Sequence, residues 1–347
     1  MTGLLAMTIF LGSYTDDTHP NGLKTIELDE ASGAMVVVAD YPVLNALYQA
    51  LSPDGKWLYT CTGEGLAAFA VGADASLTRR DAVALGTCVC HVAARTDRVV
   101  FADYLGGFAG SVAVADGTFG ELGIHRHSGS GPNLPRQNAA HCHQSCPLPD
   151  GSGYVVCDLG LDELVEYPAG RVFKTTPAGA GPRHILFHPN GRFAFLVSEL
   201  GNLVSSLAWN PADGFRLLDL LPTLERAALP VGPVIGTTGT DLAAAIRFTP
   251  DGKRIVVSNR GENSLVVYDF DESTGRLSFK SRTLLSGSWP RDFIFVTDTL
   301  ALVALERSGE VVALRYDPGT GAFTPLATLG GLFRPVALTA RPELQMI

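Results

Sequence analysis

Charge is scarce in this chain, and what there is leans acidic. Charged residues fill 18% of the 347 positions, with 26 Lys and Arg against 35 Asp and Glu, a formal net charge of −9. A surface of that sign argues against nonspecific binding to nucleic acid or to an anionic bilayer. It leaves room for an anionic small molecule, because a few local arginines decide that. No stretch reaches the ~18 consecutive apolar residues of a membrane-spanning helix. The opening residues, Met1 to Phe10, lack a basic segment and a small-residue cleavage site, so no signal peptide is expected, and Met7 is a candidate native start. The 6 cysteines (Cys61, Cys88, Cys90, Cys142, Cys146, Cys157) are scattered, and the expectation is free thiols in a reducing cytoplasm. Helical periodicity is also missing; strand patterns dominate.

What the chain has in quantity is self-similarity. An apolar run, a Pro-Asp-Gly-like turn and a second apolar run recur at "LSPDGKWLYT", "LPDGSGYVVC", "FHPNGRFAFLV" and "FTPDGKRIVVS". Two worn copies fall at Thr96 and Thr297. The anchors Pro53, Thr96, Pro149, Pro189, Pro250 and Thr297 are roughly 40 to 60 residues apart, the period of propeller blades. The N-terminal "MTIFLGSYT" supplies one more blade. A second turn signal interleaves with the first, at "LDEASGAM", "FDESTGRL" and "YDPGTGAF", with weaker versions at "VGADASL", "ADGTFGEL" and "NPADGFRL". Two hairpins per period mean about four antiparallel strands per blade. The chain is therefore read as an all-β seven-bladed β-propeller, one domain over residues 1–347. Pro222 to Asp241, rich in Pro, Gly and Thr, reads as a long loop over one face.

Strands joined by a tight turn bring residues equidistant from that turn together. Six positions before the anchor lie His143, Arg183 and Arg291, with Leu47, Cys90 and Ala244 in the other copies. Ten positions after it lie Glu199 and Arg260. These positions sit on opposite arms of one hairpin, and the innermost hairpins of a propeller surround its channel. His143, Arg183, Glu199, Arg260 and Arg291 are thus expected to converge at one mouth. Arginines in such confinement repel one another unless an anion or a carboxylate compensates. The plainer reading is a wet channel in which Glu199 neutralises Arg183.

At these residues the chain resembles the seven-bladed propeller lactonases, a family of cycloisomerase-type 6-phosphogluconolactonases and carboxy-cis,cis-muconate lactonizing enzymes. The matching stretches are "GSYTDD", "HSGSGPNLPRQNAAHCHQ", "CDLGLDEL", "GAGPRHILFHPNGRFAFLVSELGN", "SNRGENS" and "GSWPRDF", in the family's order. Two departures stand out: "ADYLGG" places Asp103 where the family often has Asn, and "ALYQALSP" keeps Tyr48 without the usual Pro-Ser before it. The resemblance implies a His, an Arg and a Glu at the reacting centre, here His143, Arg183 and Glu199. It implies further arginines, Arg260 and Arg291, around the substrate's anionic group.

Opening a δ-lactone needs an activated water and a stabilised oxyanion. The expected roles are Glu199 as general base with His143 as its rival, Arg183 on the carbonyl, and Arg260 and Arg291 as an anion clamp. His184 and Asp158 are candidate substrate-binding or supporting groups. The expected partner is a small anionic lactone, with no cofactor. "HCHQSC" (His141 to Cys146), with Cys88, Cys90 and His91, could offer zinc ligands, but paired CxxC knuckles are missing and neighbouring strand residues face apart. No metal is expected. The glycines at 128–132 lack a following helix, which weakens a phosphate loop or a nucleophile elbow. His19, His125 and His127 have only a surface reading. Two alternatives stay open: a lactone-forming cycloisomerase, and a noncatalytic propeller used as a scaffold.

Overall fold

Each Pro-Asp-Gly-type turn closes the innermost hairpin of a four-stranded sheet. Gly55, Gly151, Gly191 and Gly252 take φ between +69° and +76° there, a region where a side chain would be strained. The computed structural model describes residues 7–134, 136–225, 232, 234 and 240–341. Most of the segment expected to be a loop between Pro222 and Asp241 therefore lies outside the described residues.

Seven such sheets form, each of four antiparallel strands, giving a seven-bladed β-propeller. The innermost strands are Gln49–Leu51 (blade 2), His91–Ala94 (blade 3), Cys142–Pro147 (blade 4), Pro182–Phe187 (blade 5), Leu242–Phe248 (blade 6) and Pro290–Phe295 (blade 7). In blade 1 that place is taken by Pro335–Ala340, from the far end of the chain. It pairs with Met7–Ser13, so Gly12 faces Ala337 and the ring is closed by hydrogen bonds between the chain's two ends. Each innermost strand packs against the innermost strands of both neighbouring blades.

Faces of adjacent blades bury their apolar residues against each other. Between blades 5 and 6, for example, Phe195, Val197 and Val204 meet Ile246, Ile255 and Val257. Each fully buried side chain of this size is worth roughly 1.5–3 kcal/mol, so the inter-blade layers hold the ring together. The outermost strands carry the exposed apolar residues Val36, Val172 and Phe279.

One irregularity recurs and matters for function. Blades 4, 5 and 7 each carry a bulge near the start of the inner strand, and the extra residue is His143, Arg183 or Arg291. In blade 6 the bulge spans Ala244 and Ala245, and in blade 1 it falls on Val336. A bulge bends the strand and re-aims the side chain it carries. His143, Arg183, Ala244 and Arg291 are the positions six residues before the anchor.

Candidate active site

Two rings of side chains meet at one channel mouth. The first comes from the start of the innermost strand, a bulge in blades 1 and 4 to 7 and the residues just before the strand in blades 2 and 3: Val336, Leu47, Cys90, His143, Arg183, Ala244 and Arg291 in blade order. The second comes from the end of the second strand. It holds Tyr14, Gly63, Tyr104 and Leu159 in blades 1 to 4, then Glu199, Arg260 and Glu306 in blades 5 to 7. A cavity of about 480 Å³ opens here, and Tyr14, Leu47, Cys90, Tyr104, His143, Glu199, Arg260 and Arg291 from those rings line it with Arg136. A hollow of about 550 Å³ beside Arg95, Arg98 and Tyr167 shares none of these residues.

Glu199 is the electrostatic hub, 2% exposed. Its Oε2 accepts from Arg183 Nε at 2.9 Å and from Arg260 Nη2 at 2.7 Å, and its Oε1 from Arg136 Nη2 at 2.6 Å. Burial by itself would raise this carboxyl, but Arg260, Arg183 and Arg136 hold it well below the ordinary glutamate range. His143 Nε2 lies 3.9 Å from Glu199 Oε2, and its Nδ1 is buried without a partner. Burial, and then Arg183, push His143 well below the ordinary histidine range, so the imidazole is neutral near pH 7. A second carboxylate, Glu306, receives Arg291 at 3.1 Å and Arg334 at 2.6 Å. Both of those guanidinium groups also lie over the Tyr14 ring, at 5.3 and 4.0 Å.

Of the expected site residues, His143, Glu199, Arg260 and Arg291 line the cavity. Arg183 does not. It sits beneath Glu199, donates to the Ala244 carbonyl at 2.6 Å, and lays Nη1 3.3 Å from both ring nitrogens of His184. His184 likewise lies below the cavity, packed on His143, His91 and Tyr48, so both support the site from underneath.

Asp158 is also outside the cavity. Its Oδ1 accepts three backbone N–H groups, from His141, Gly160 and Leu161. The reason is register: Asp158 pairs with Cys142, one position short of the ring, and Leu159 takes the place that Glu199 has in blade 5. The surface reading of His127 is corrected by the same contact. The His127 side chain is 4% exposed, donates through Nδ1 to Asp158 at 2.7 Å and meets the Tyr167 hydroxyl through Nε2. His125 stacks on Tyr167, and His19 is exposed.

The "HCHQSC" stretch does not assemble as a zinc site. Among the described residues, one group of three possible ligands lies within 4.8 Å, His127, Cys142 and Asp158, and it shares only Cys142 with the expected set. There the Cys142 thiol points at the Asp158 carboxylate that already holds His127.

Four contributors were not singled out from sequence. Tyr14 and Tyr104 lie in quoted stretches and occupy the ring position of Glu199 in blades 1 and 3. Glu306 occupies it in blade 7, where the worn turn is one residue shorter, so it falls nine positions after Thr297. Arg136 lies on the loop between blades 3 and 4 and has no counterpart in the repeat.

A family model for the seven-bladed β-propeller lactonases matches residues 8–337, in agreement with the described fold. The chain belongs to that family. It is 33% identical to 6-phosphogluconolactonase of Bacillus subtilis over 220 residues, covering 61% of this chain and 60% of that one. It is equally similar, 33% over 336 residues, to an uncharacterized Lactococcus lactis protein, covering 91% of this chain and 94% of that one. Among solved structures, the periplasmic gluconolactonase of Pseudomonas aeruginosa superposes with a TM-score of 0.85. At 24% identity over 97% of this chain and 99% of that one, it bears on the fold. No helix among the described residues is long and apolar enough to cross a membrane.

Proposed function

We propose that this propeller hydrolyses the ring ester of a small anionic lactone. The name of the Bacillus subtilis relative makes 6-phosphogluconolactone the first compound to assay. The single observation that carries the reading is a neutral, buried imidazole facing a carboxylate ringed by arginines, at the wall of an open cavity.

Glu199 spends its oxygens on three guanidinium groups and is held fully ionised, which makes it a weak proton acceptor. Burial and Arg183 also push His143 down, but neither of its ring nitrogens is held by a guanidinium group and Glu199 lies 3.9 Å from its Nε2 to offset the charge that protonation creates, so His143 is assigned as the base. In this reading His143 takes a proton from water as the water oxygen bonds to the lactone carbonyl carbon. Glu199 stabilises the imidazolium that forms, as a nearby opposite charge does. Arg260 faces the carbonyl oxygen as it becomes an oxyanion. Collapse breaks the ring C–O bond, and the proton passes from His143 to the departing alkoxide. Arg291 and Arg136 receive the anionic substituent through forked hydrogen bonds. The six free thiols suit a reducing cytoplasm.

The test is proton release in a pH-stat on a panel of lactones with and without phosphate. Turnover by the wild type that survives unchanged in His143→Asn removes His143 from the base role. Binding of a lactone with no turnover favours the scaffold alternative.

A further inference from the structure

The hollow of about 550 Å³ lies between blades 3 and 4 and shares no lining residue with the channel-mouth cavity. Blade 3 supplies Arg95, Arg98 and His125, and blade 4 faces them with Tyr154, Tyr167 and Pro168.

Both arginines keep donors in reserve. Arg95 gives Nη1 to the Leu148 carbonyl at 3.2 Å, across the blade boundary, and Arg98 gives Nη1 to Ser111 Oγ at 3.1 Å. Neither Nη2 has a hydrogen-bond partner among the described residues. Two acids stand nearby, and neither accepts a hydrogen bond from these arginines. The Asp97 side chain is 75% exposed at the rim, 3.8 Å from Arg98 Nε. Asp150, near Arg95, spends Oδ1 on the Ser152 N–H and hydroxyl.

Tyr154 is 5% exposed, and its hydroxyl is buried with no partner among the described residues. An unpaired buried hydroxyl is costly, and a ligand oxygen would remove that cost. Tyr167 differs, because its O–H is given to His127 Nε2 at 3.0 Å. The rest of the wall is aromatic. His125 stacks on Tyr167 with ring centres 3.9 Å apart. Burial, and then His127, push His125 below the ordinary histidine range, so this wall carries no charge near pH 7.

We propose that this groove is a second binding site, for an aromatic phosphate monoester. The phosphate takes N–H groups of Arg95 and Arg98, whose planar forks match its geometry, and the Tyr154 O–H. Three donors suit a group with three terminal oxygens. The ring lies against His125, Tyr167 and Pro168, an apolar wall beside a few polar groups, as ligand pockets are generally built.

The probes are phenyl phosphate and inorganic phosphate, titrated into the intact protein by calorimetry. Phenyl phosphate is expected to bind with a Kd below about 1 mM. It should bind about tenfold or more tighter than inorganic phosphate, because its ring leaves water. Arg98→Gln is expected to weaken this binding about tenfold, and Tyr154→Phe several-fold, since each deletes a donor. Arg291→Gln, at the distant channel mouth, should leave it within about twofold. No binding at about 1 mM overturns the proposal. So does binding that follows Arg291 and ignores Arg98 and Tyr154, which puts the anion at the channel mouth. Equal affinity for the two probes overturns the aromatic class. No lactone enters the experiment, so its outcome is independent of the hydrolase reading.

Discussion

The two halves of the channel mouth are built from the same repeating hairpin, yet they are chemically opposite. In blades 4 to 7 the bulge and strand-end positions, Ala244 and Leu159 apart, hold interlocked guanidinium, imidazole and carboxylate groups. In blades 1 to 3 the same backbone positions hold Val336, Leu47, Cys90, Tyr14, Gly63 and Tyr104. The backbone therefore fixes where a side chain points, and the residue type alone decides what that sector does. The charged half also shows how buried charge is tolerated: Glu199 and Glu306 between them receive Arg136, Arg183, Arg260, Arg291 and Arg334. Five guanidinium groups on two carboxylates leave an excess of positive charge, which an anionic ligand would offset in a protein whose net charge is −9.

The contrast can be broken most forcefully at its hub. Glu199→Ala leaves Arg183 and Arg260 buried without their carboxylate and is expected to cost about 3–5 kcal/mol. Urea unfolding checks this, with Leu47→Ala as the comparison from the uncharged half. A loss no larger than that of Leu47→Ala would show that the arginines do not depend on Glu199.

His143→Asn attacks chemistry more than stability. Loss of kcat by about 10²–10⁴ is expected, with KM changed only a few-fold. A drop confined to KM would make His143 a binding group.

The third prediction uses pH. Burial, and then nearby arginines, push His143 and His184 well below the usual histidine range and His91 to about 3. Each therefore binds fewer protons folded than unfolded. Stability is fully present above the unfolded value of about 6.5. It falls as pH drops below that value, by up to about 1.4 kcal/mol per pH unit for each imidazole. Denaturant midpoints at several pH values between neutral and mildly acidic read this directly; a flat profile contradicts it. By the same reasoning, kcat/KM should show no acid limb in the ordinary histidine range.

The smallest effect belongs to the rim. The Arg334 side chain is 48% exposed, so Arg334→Ala is expected to change stability by only about 0–1 kcal/mol. Its effect should fall on KM for anionic substrates and weaken with added salt. A kcat effect without a KM effect would place Arg334 nearer the chemistry.

The turn-anchored repeat makes much of the site legible in the sequence. Counting from each anchor placed His143, Arg183 and Arg291 on one ring and Glu199 and Arg260 on the other, and the blades carry them there. The same counting failed where its assumptions did. Glu306 escaped because one turn is shorter, Arg136 because a loop has no period, and Asp158 was favoured although it lies one register position short. His127 looked like a surface residue because strand pattern says nothing about which neighbouring sheet will cover it.

Local sequence thus determined the blades, their number and the two positions that face the channel, because turn chemistry and strand alternation act over a few residues. Tertiary structure decided what those side chains do. Only closure of the ring, through Pro335–Ala340 beside Met7–Ser13, sets seven sectors around one axis. That closure packs His184 against His91 and Tyr48, adds Arg136 and Arg260 to the carboxylate of Glu199, and leaves the uncharged half facing them. Those relations are distances between blades far apart in the chain, and no local pattern encodes them.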